Sequence, residues 1–255
     1  MRSRVINADF REFDHFDVGV FDLLLSDIPY ALGGSAYGSN PMWYVGGDNA
    51  NGESRLAAQP FFSTDQEFDL GAYADVCAQL LKPASGKPKT DGCVITFCSF
   101  EQQVPLIDAM RRNGFKGYMP LVFTKRSSAQ ALKANMRYCG AVEYAIVSYR
   151  AHLPLFCNGG RMVLNWMPFG RSYEAKIHPT QKPQTLIEDL ILLHTLPGMR
   201  VCDLTCGSGT TVCAAKRLGR EGVGFEIDPK FAASAMERVT RQPIVQDLLE
   251  MEAAL

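Results

Sequence analysis

His178 to Asp228 reads HPTQKPQTLIEDLILLHTLPGMRVCDLTCGSGTTVCAAKRLGREGVGFEID, and this stretch decides the fold. Arg200–Leu204 is a short apolar run, the pattern of a buried strand. It carries Asp203 near its end, and Gly207-Ser208-Gly209 follows at once. Thr210–Leu218 then reads as a helix stopped by Gly219. Gly222–Ile227 reads as a second strand with Glu226 near its end. Strand, glycine turn, helix and strand with a terminal acid make a nucleotide-binding βαβ half. The glycines let the backbone come close to a ligand and open the helix N-terminus towards it. Glu226 follows Asp203 by 23 positions, about where such folds place the acid that holds two ribose hydroxyls.

A second stretch lies far upstream. Phe21–Leu25 (FDLLL) is a continuous apolar run, the pattern of a buried parallel strand. Ser26-Asp27-Ile28-Pro29-Tyr30 follows it, at the end of the strand where open α/β sheets bind their ligands. These residue types suit chemistry at an exocyclic amine, whose lone pair is delocalised into its ring. Asp27 offers a carboxylate to the N–H protons, and the Ile28 carbonyl offers a second acceptor. Pro29 restricts the preceding residue and stiffens that peptide. Tyr30 offers a flat face for an extruded base, worth ~1–3 kcal/mol per base.

Together these stretches resemble the beta subgroup of the DNA amino-methyltransferases, which methylate exocyclic nitrogens with S-adenosylmethionine. The resemblance is dense from His178 to about Arg238 and clear at Phe21–Tyr30. DIPY is similar to the catalytic tetrapeptide, usually (D/N/S)PP(Y/F), and departs from it at Ile28. DLTCGSGTT is similar to the cofactor loop, usually DPFxGSGTT. GFEID resembles the ribose-binding strand, and HPTQKP the segment that closes over the methionine end. The resemblance implies a single α/β domain with a Rossmann-like methyltransferase sheet, mostly parallel, in which the catalytic half precedes the cofactor loop. It implies catalytic roles for Asp27, Ile28, Pro29 and Tyr30. It implies cofactor contacts from His178, Thr180 and Lys182, from Asp203, Leu204, Thr205, Cys206, Gly207, Ser208, Gly209 and Thr210, and from Glu226 and Ile227. Asp9, in an opening strand over Arg4–Phe10, is a further candidate near the cofactor.

Composition narrows the classes. Hydrophobic content of 47% with 21% charged residues is that of a globular domain with a sizeable core. No apolar run approaches the ~20 residues that span a bilayer, and MRSRVINADF lacks a secretory core. Eight scattered cysteines without a CxxC pair read as reduced thiols rather than a zinc site. The expected setting is the cytoplasm of a bacterium or the genome of its phage, with no membrane and no metal. A net charge of −1 confines any DNA surface to a local patch.

The remaining chain alternates. Ala31–Phe62 is rich in Gly, Ser, Asn and Pro and reads as a long loop beside the active site. Phe68–Leu81 has helical spacing, Gly92–Phe97 is a strand, Ser99–Met110 a helix, and Gly117–Thr124 and Glu143–Tyr149 are strands. Pro183–His194 reads as a helix with proline at its start. This alternation implies a parallel sheet. Lys125–Lys176 is where the family analogy places a small target-recognition region. It interleaves cations with aromatics, has only Glu143 and Glu174 as acids, and offers Lys125, Arg126, Lys133 and Arg137 as DNA contacts.

The expected activity is methyl transfer from S-adenosylmethionine to N6 of adenine in DNA, the base being extruded from the stack. N4 of cytosine and an inactive DNA- or cofactor-binding module are the alternatives. A nicotinamide-dependent oxidoreductase would share the glycine loop but has no use for both DIPY and HPTQKP. Relatives allow a homodimer and a cognate restriction nuclease as partners besides DNA.

Overall fold

The structure is a computed structural model, and it describes residues 3–30, 68–125, 138, 140–169 and 181–244. In chain order the elements are β1 (Arg4–Asn7), a 3₁₀ turn (Phe10–His15), β2 (Leu23–Asp27), α1 (Leu70–Leu80), β3 (Cys93–Cys98), α2 (Gln103–Arg112), β4 (Gly117–Lys125), β5 (Val142–Tyr149), β6 (Trp166–Phe169), α3 (Gln184–His194), β7 (Arg200–Asp203), α4 (Thr210–Arg217), β8 (Glu221–Glu226) and α5 (Pro229–Arg241). Among the described residues the strands form one sheet in the order β1-β8-β7-β2-β3-β5-β4-β6. The glycine-rich loop read over Ala31–Phe62 lies outside the described residues.

Both faces of the sheet are covered, and the strands show it at period two. In β2, Leu24 joins the core under α1 and α2, whereas Leu23 and Leu25 join the core under α3 and α4. In β3, Val94 and Cys98 face one way and Cys93, Ile95 and Phe97 the other. Central strands buried on both faces read as unbroken apolar runs, which is why LLL and CVITF were legible. Helix starts are equally local. Asp69 caps α1 by accepting from Gly71 N at 2.8 Å and Ala72 N at 3.0 Å, and Asp228 caps α5 with Pro229 at its first position.

The sheet is mostly parallel and Rossmann-like, as the resemblance implies, and one strand runs against the rest. β5 runs antiparallel to both β3 and β4. Apolar alternation carries no direction, so the sequence could not reveal this. β6 was not read at all. It is a four-residue strand at the sheet edge, and its Pro168 is tolerated there because an edge strand has a side that needs no donor. The described part of the segment read as target recognition therefore contributes two strands to the main sheet. The permutation is visible at the other edge, where the first strand, β1, pairs with the last, β8, placing Asn7 beside Glu226.

Candidate active site

Parallel strands β8, β7 and β2 are neighbours, so their carboxyl ends share one edge of the sheet. Each ends in an acid: Glu226, Asp203 and Asp27. Residues from opposite ends of the sequence thereby form one row. The β2–β7 ladder pairs Leu23 with Val201 and Leu24 with Cys202. Beyond it, side chains join the strands: Leu204 N donates to Ser26 Oγ at 3.0 Å, and Thr205 Oγ1 donates to the Asp27 carbonyl at 3.1 Å. The glycine loop is thus fastened to the DIPY segment.

The loop is a compact turn. Gly207 N donates to Glu226 Oε2 at 2.8 Å, Asp228 N donates to Oε1 at 2.9 Å, and Cys206 N donates to the Phe225 carbonyl at 2.9 Å. Burial raises the Glu226 pKa above the ordinary carboxylate range, and these backbone donors oppose the rise. Gly209 precedes α4 at φ +71°, a left-handed conformation that favours glycine. A side chain at Gly224 would meet Cys206 Sγ at 2.7 Å, so β8 and the loop pack backbone to side chain. Arg238 on α5 reaches across, its Nη1 donating to the Ser208 carbonyl at 3.2 Å and Thr210 Oγ1 at 2.9 Å. Leu204, Cys206, Ser208 and Thr210 are buried, whereas Ile227 stands 52% exposed directly after Glu226. Asp203 is 4% exposed and accepts from Thr205 N at 3.1 Å. Burial pushes its pKa up to about 7.

Asp27 is the centre of the other half. Its Oδ2 accepts from Lys182 Nζ at 2.6 Å, and its Oδ1 is buried without a hydrogen-bond partner. The side chain as a whole keeps 26% of its surface exposed. Burial raises the Asp27 pKa, and Lys182 opposes that rise. Ile28 is 2% exposed and its N–H donates to the Phe97 carbonyl at 3.3 Å. Gln102 Nε2 donates to the Pro29 carbonyl at 2.7 Å, fixing the tetrapeptide from the other side. Tyr30 is half-buried, its hydroxyl 3.1 Å from Lys182 Nζ, and the same ammonium lies 5.2 Å from its ring centroid. The ammonium therefore sits at the hydroxyl end of the ring that is expected to stack on a base.

Several expectations meet a different geometry. Lys182, assigned by resemblance to the cofactor carboxylate, is bound to Asp27 and to Glu143, whose Oε2 lies 3.1 Å from Nζ. Lys125, expected on DNA, is paired with Glu143 and lies 5.6 Å from the Phe169 ring centroid, so its charge is already committed. Asp9 caps the 3₁₀ turn and pairs with Arg11, whose guanidinium holds the Asp9 carboxyl below its usual range. His178, Thr180, Arg126, Lys133 and Arg137 lie outside the described residues. Among the described residues, no group of three or more His, Cys, Asp or Glu could hold a metal, and no helix is long and apolar enough to cross a membrane.

The sequence reading missed Ser26, Gln102, Glu143 and Arg238. Two of them left a signal. Ser99-Phe100-Glu101-Gln102 is a capping box, in which Ser99 N donates to Gln102 Oε1 and Gln102 N to Ser99 Oγ. Glu143 is one of two acids in a basic stretch, which marks it for pairing.

The sequence model of the DNA methylase family matches residues 158–237. The relative named "Putative methylase YubD", from Escherichia coli (strain K12), is 30% identical over 166 residues, covering 65% of this chain and 68% of YubD. Two solved structures share the fold. M1.HpyAVI, solved as its SAM complex, superimposes with a TM-score of 0.64 at 22% identity, over 93% of this chain and all of that one. The PvuII DNA methyltransferase, cytosine-N4-specific, gives 0.67 at 18% identity, over 100% of this chain and 92% of its own. With its glycine loop, ribose-type acid and DIPY segment joined at one sheet edge, the chain belongs to the DNA methylase family.

Proposed function

We propose that the protein transfers a methyl group from S-adenosylmethionine to the exocyclic N6 of adenine in DNA. The observation that carries this reading is Asp27 Oδ1, a buried carboxylate oxygen without a partner at the end of a central strand. A buried acceptor left unpaired costs ~1–3 kcal/mol, and an amine N–H in the site would satisfy it.

The residues present fit the cofactor. Three acids end three neighbouring strands, a row suited to a ligand carrying a sulfonium and an ammonium. Glu226 has lone pairs left for ribose hydroxyls beyond its two backbone bonds. Ile227 offers an exposed apolar side chain beside it for a ring. S-adenosylmethionine supplies the methyl group on a positively charged sulfur that leaves as a neutral thioether. Asp27 and the Ile28 carbonyl accept hydrogen bonds from the amine N–H groups and draw the nitrogen towards tetrahedral geometry, and the one proton that the methylated nitrogen loses leaves through the Asp27 carboxylate to solvent. The charge that develops on the attacking nitrogen is met by the Asp27 carboxylate, a transition-state interaction that was organised beforehand.

N4 of cytosine is the second reading, favoured by the likeness to the cytosine-N4-specific PvuII enzyme. The carboxylate at position 27 supports adenine, since serine is more usual there in relatives acting on cytosine. Incubating the protein and cofactor with unmethylated genomic DNA, then mapping modified bases by single-molecule sequencing, tests both. N6-methyladenine at a recurring site is the expected outcome; N4-methylcytosine would replace the first reading with the second.

A further inference from the structure

A second set of charges stands behind Asp27, and two of its members, Glu143 on β5 and Lys125 on β4, lie outside the family-like motifs. Because β5 alone runs antiparallel, its first residues fall at the same sheet edge as the last residues of β3: Tyr144 pairs with Cys98, and Glu143 precedes it. Glu143 meets Lys182 there, with Oε2 at 3.1 Å from Nζ, and it also pairs with Lys125. Lys182 continues to Asp27 Oδ2 at 2.6 Å. Asp27, Lys182, Glu143 and Lys125 thus form a row of alternating charge. Lys182 and Glu143 expose only 9% and 14% of their side chains. Buried pairs of this kind contribute little net stability, so their place beside the unpartnered Asp27 Oδ1 asks for another account.

We propose that Glu143 is a positioning residue for methyl transfer: it holds the Lys182 ammonium beside Asp27 Oδ2, so that Oδ1 stays free for the amine. The proposal rests on the amine-methylating reading of Asp27. A desolvated carboxylate tends to take up a proton, and a protonated Asp27 would offer a donor where an acceptor is needed. Lys182 prevents this by holding positive charge on Oδ2. A lysine as buried as this one tends to lose its own proton. Burial opposes the Lys182 charge, but Asp27 and Glu143 outweigh it and hold the ammonium well above its ordinary range. Burial likewise opposes the Glu143 charge, but Lys182 and Lys125 outweigh it and bring its pKa down to about 2. Glu143 also divides the field of the ammonium, which would otherwise draw the Asp27 charge wholly to Oδ2. The two neighbours therefore act on Asp27 with opposite sign. The other groups facing Asp27 are Tyr30 beside it, Asp203 from β7 and Cys98 from β3. Burial raises the pKa values of all three, and they are common to every variant compared below.

The test follows the Asp27 carboxyl carbon by NMR titration in the free protein, for wild type, Lys182→Met and Glu143→Gln. It is paired with single-turnover methyl transfer to unmethylated genomic DNA across the same pH range, and with calorimetry of S-adenosylmethionine. Lys182→Met should move the Asp27 titration and the acidic limb of the rate profile upward by about one pH unit or more, and Glu143→Gln should move both downward. The Glu143→Gln rate should fall about 10-fold on the plateau, Glu143→Asp should restore the limb, and cofactor affinity should stay within about twofold in all. A titration unmoved in either folded variant, or a rate scaled equally at every pH, would overturn the proposal. So would Lys182→Met losing cofactor affinity with its saturated rate intact, which would return Lys182 to the cofactor carboxylate. If one variant fails to fold, the other decides. If Asp27 titrates as stated but wild type methylates no DNA amine, the positioning of Asp27 stands and the reading of the reaction falls.

Discussion

The two oxygens of Asp27 have different fates, and the proposed chemistry rests on the difference. Oδ2 is held by Lys182, while Oδ1 is buried and unpartnered. Glu226 is the corresponding residue of the cofactor half. Both of its oxygens accept backbone N–H groups, from Gly207 and Asp228, so it organises the loop; in the proposed reading its remaining lone pairs take the ribose hydroxyls. Glu226→Ala should weaken S-adenosylmethionine binding by ~1–3 kcal/mol, the worth of hydrogen bonds to a charged acceptor. Calorimetry on the folded variant checks this, and unchanged affinity would remove Glu226 from the site. Asp27 and Glu226 were legible in the sequence because each ends an apolar run. The partner of Asp27 was not: Lys182 stands 155 positions away, and only the fold brings the two together.

At the scale of elements, the turn from β7 into α4 carries the cofactor half. Gly209 needs both its left-handed backbone and its missing side chain, since a Cβ there would lie 3.0 Å from Ala235 Cβ on α5. Gly209→Ala should destabilise the protein by about 1–2 kcal/mol from backbone conformation alone, with further loss if α5 cannot yield. Chemical denaturation measures it, and a variant as stable as wild type would show that the turn can be rebuilt. The βαβ unit was legible because its run, glycines and acid are all local. The direction of β5 and the existence of β6 were not, since the first depends on pairing partners and the second on being an edge that tolerates Pro168.

For the molecule as a whole, pH dependence of stability is the simplest global consequence of the packing. His194, at the end of α3, is 7% exposed and its Nδ1–H donates to the Leu155 carbonyl at 3.0 Å. Burial lowers its pKa to about 4 from an ordinary 6.5. A folded-state pKa below the unfolded value means stability that is present above pH ~6.5 and lost as pH falls towards ~4, at most about 3 kcal/mol. Asp203 has the opposite sign. Its pKa is raised to about 7 from 3.8, so its contribution is greatest at low pH and is lost as pH rises through that interval. Urea unfolding as a function of pH should show wild type losing stability relative to His194→Gln as pH falls from ~6.5 to ~4, the Asp203 contribution being common to both; equal slopes would contradict the assignment. The larger claim is that chemistry and cofactor come from opposite ends of the chain and meet at one sheet edge, where they remain separable. Single-turnover methyl transfer at saturating DNA, beside cofactor calorimetry, tests it in Asp27→Asn, which keeps the shape but removes the charge. The account predicts a rate lower by ~100-fold or more with S-adenosylmethionine affinity nearly unchanged. Full activity in Asp27→Asn, or loss of cofactor binding together with activity, would contradict it.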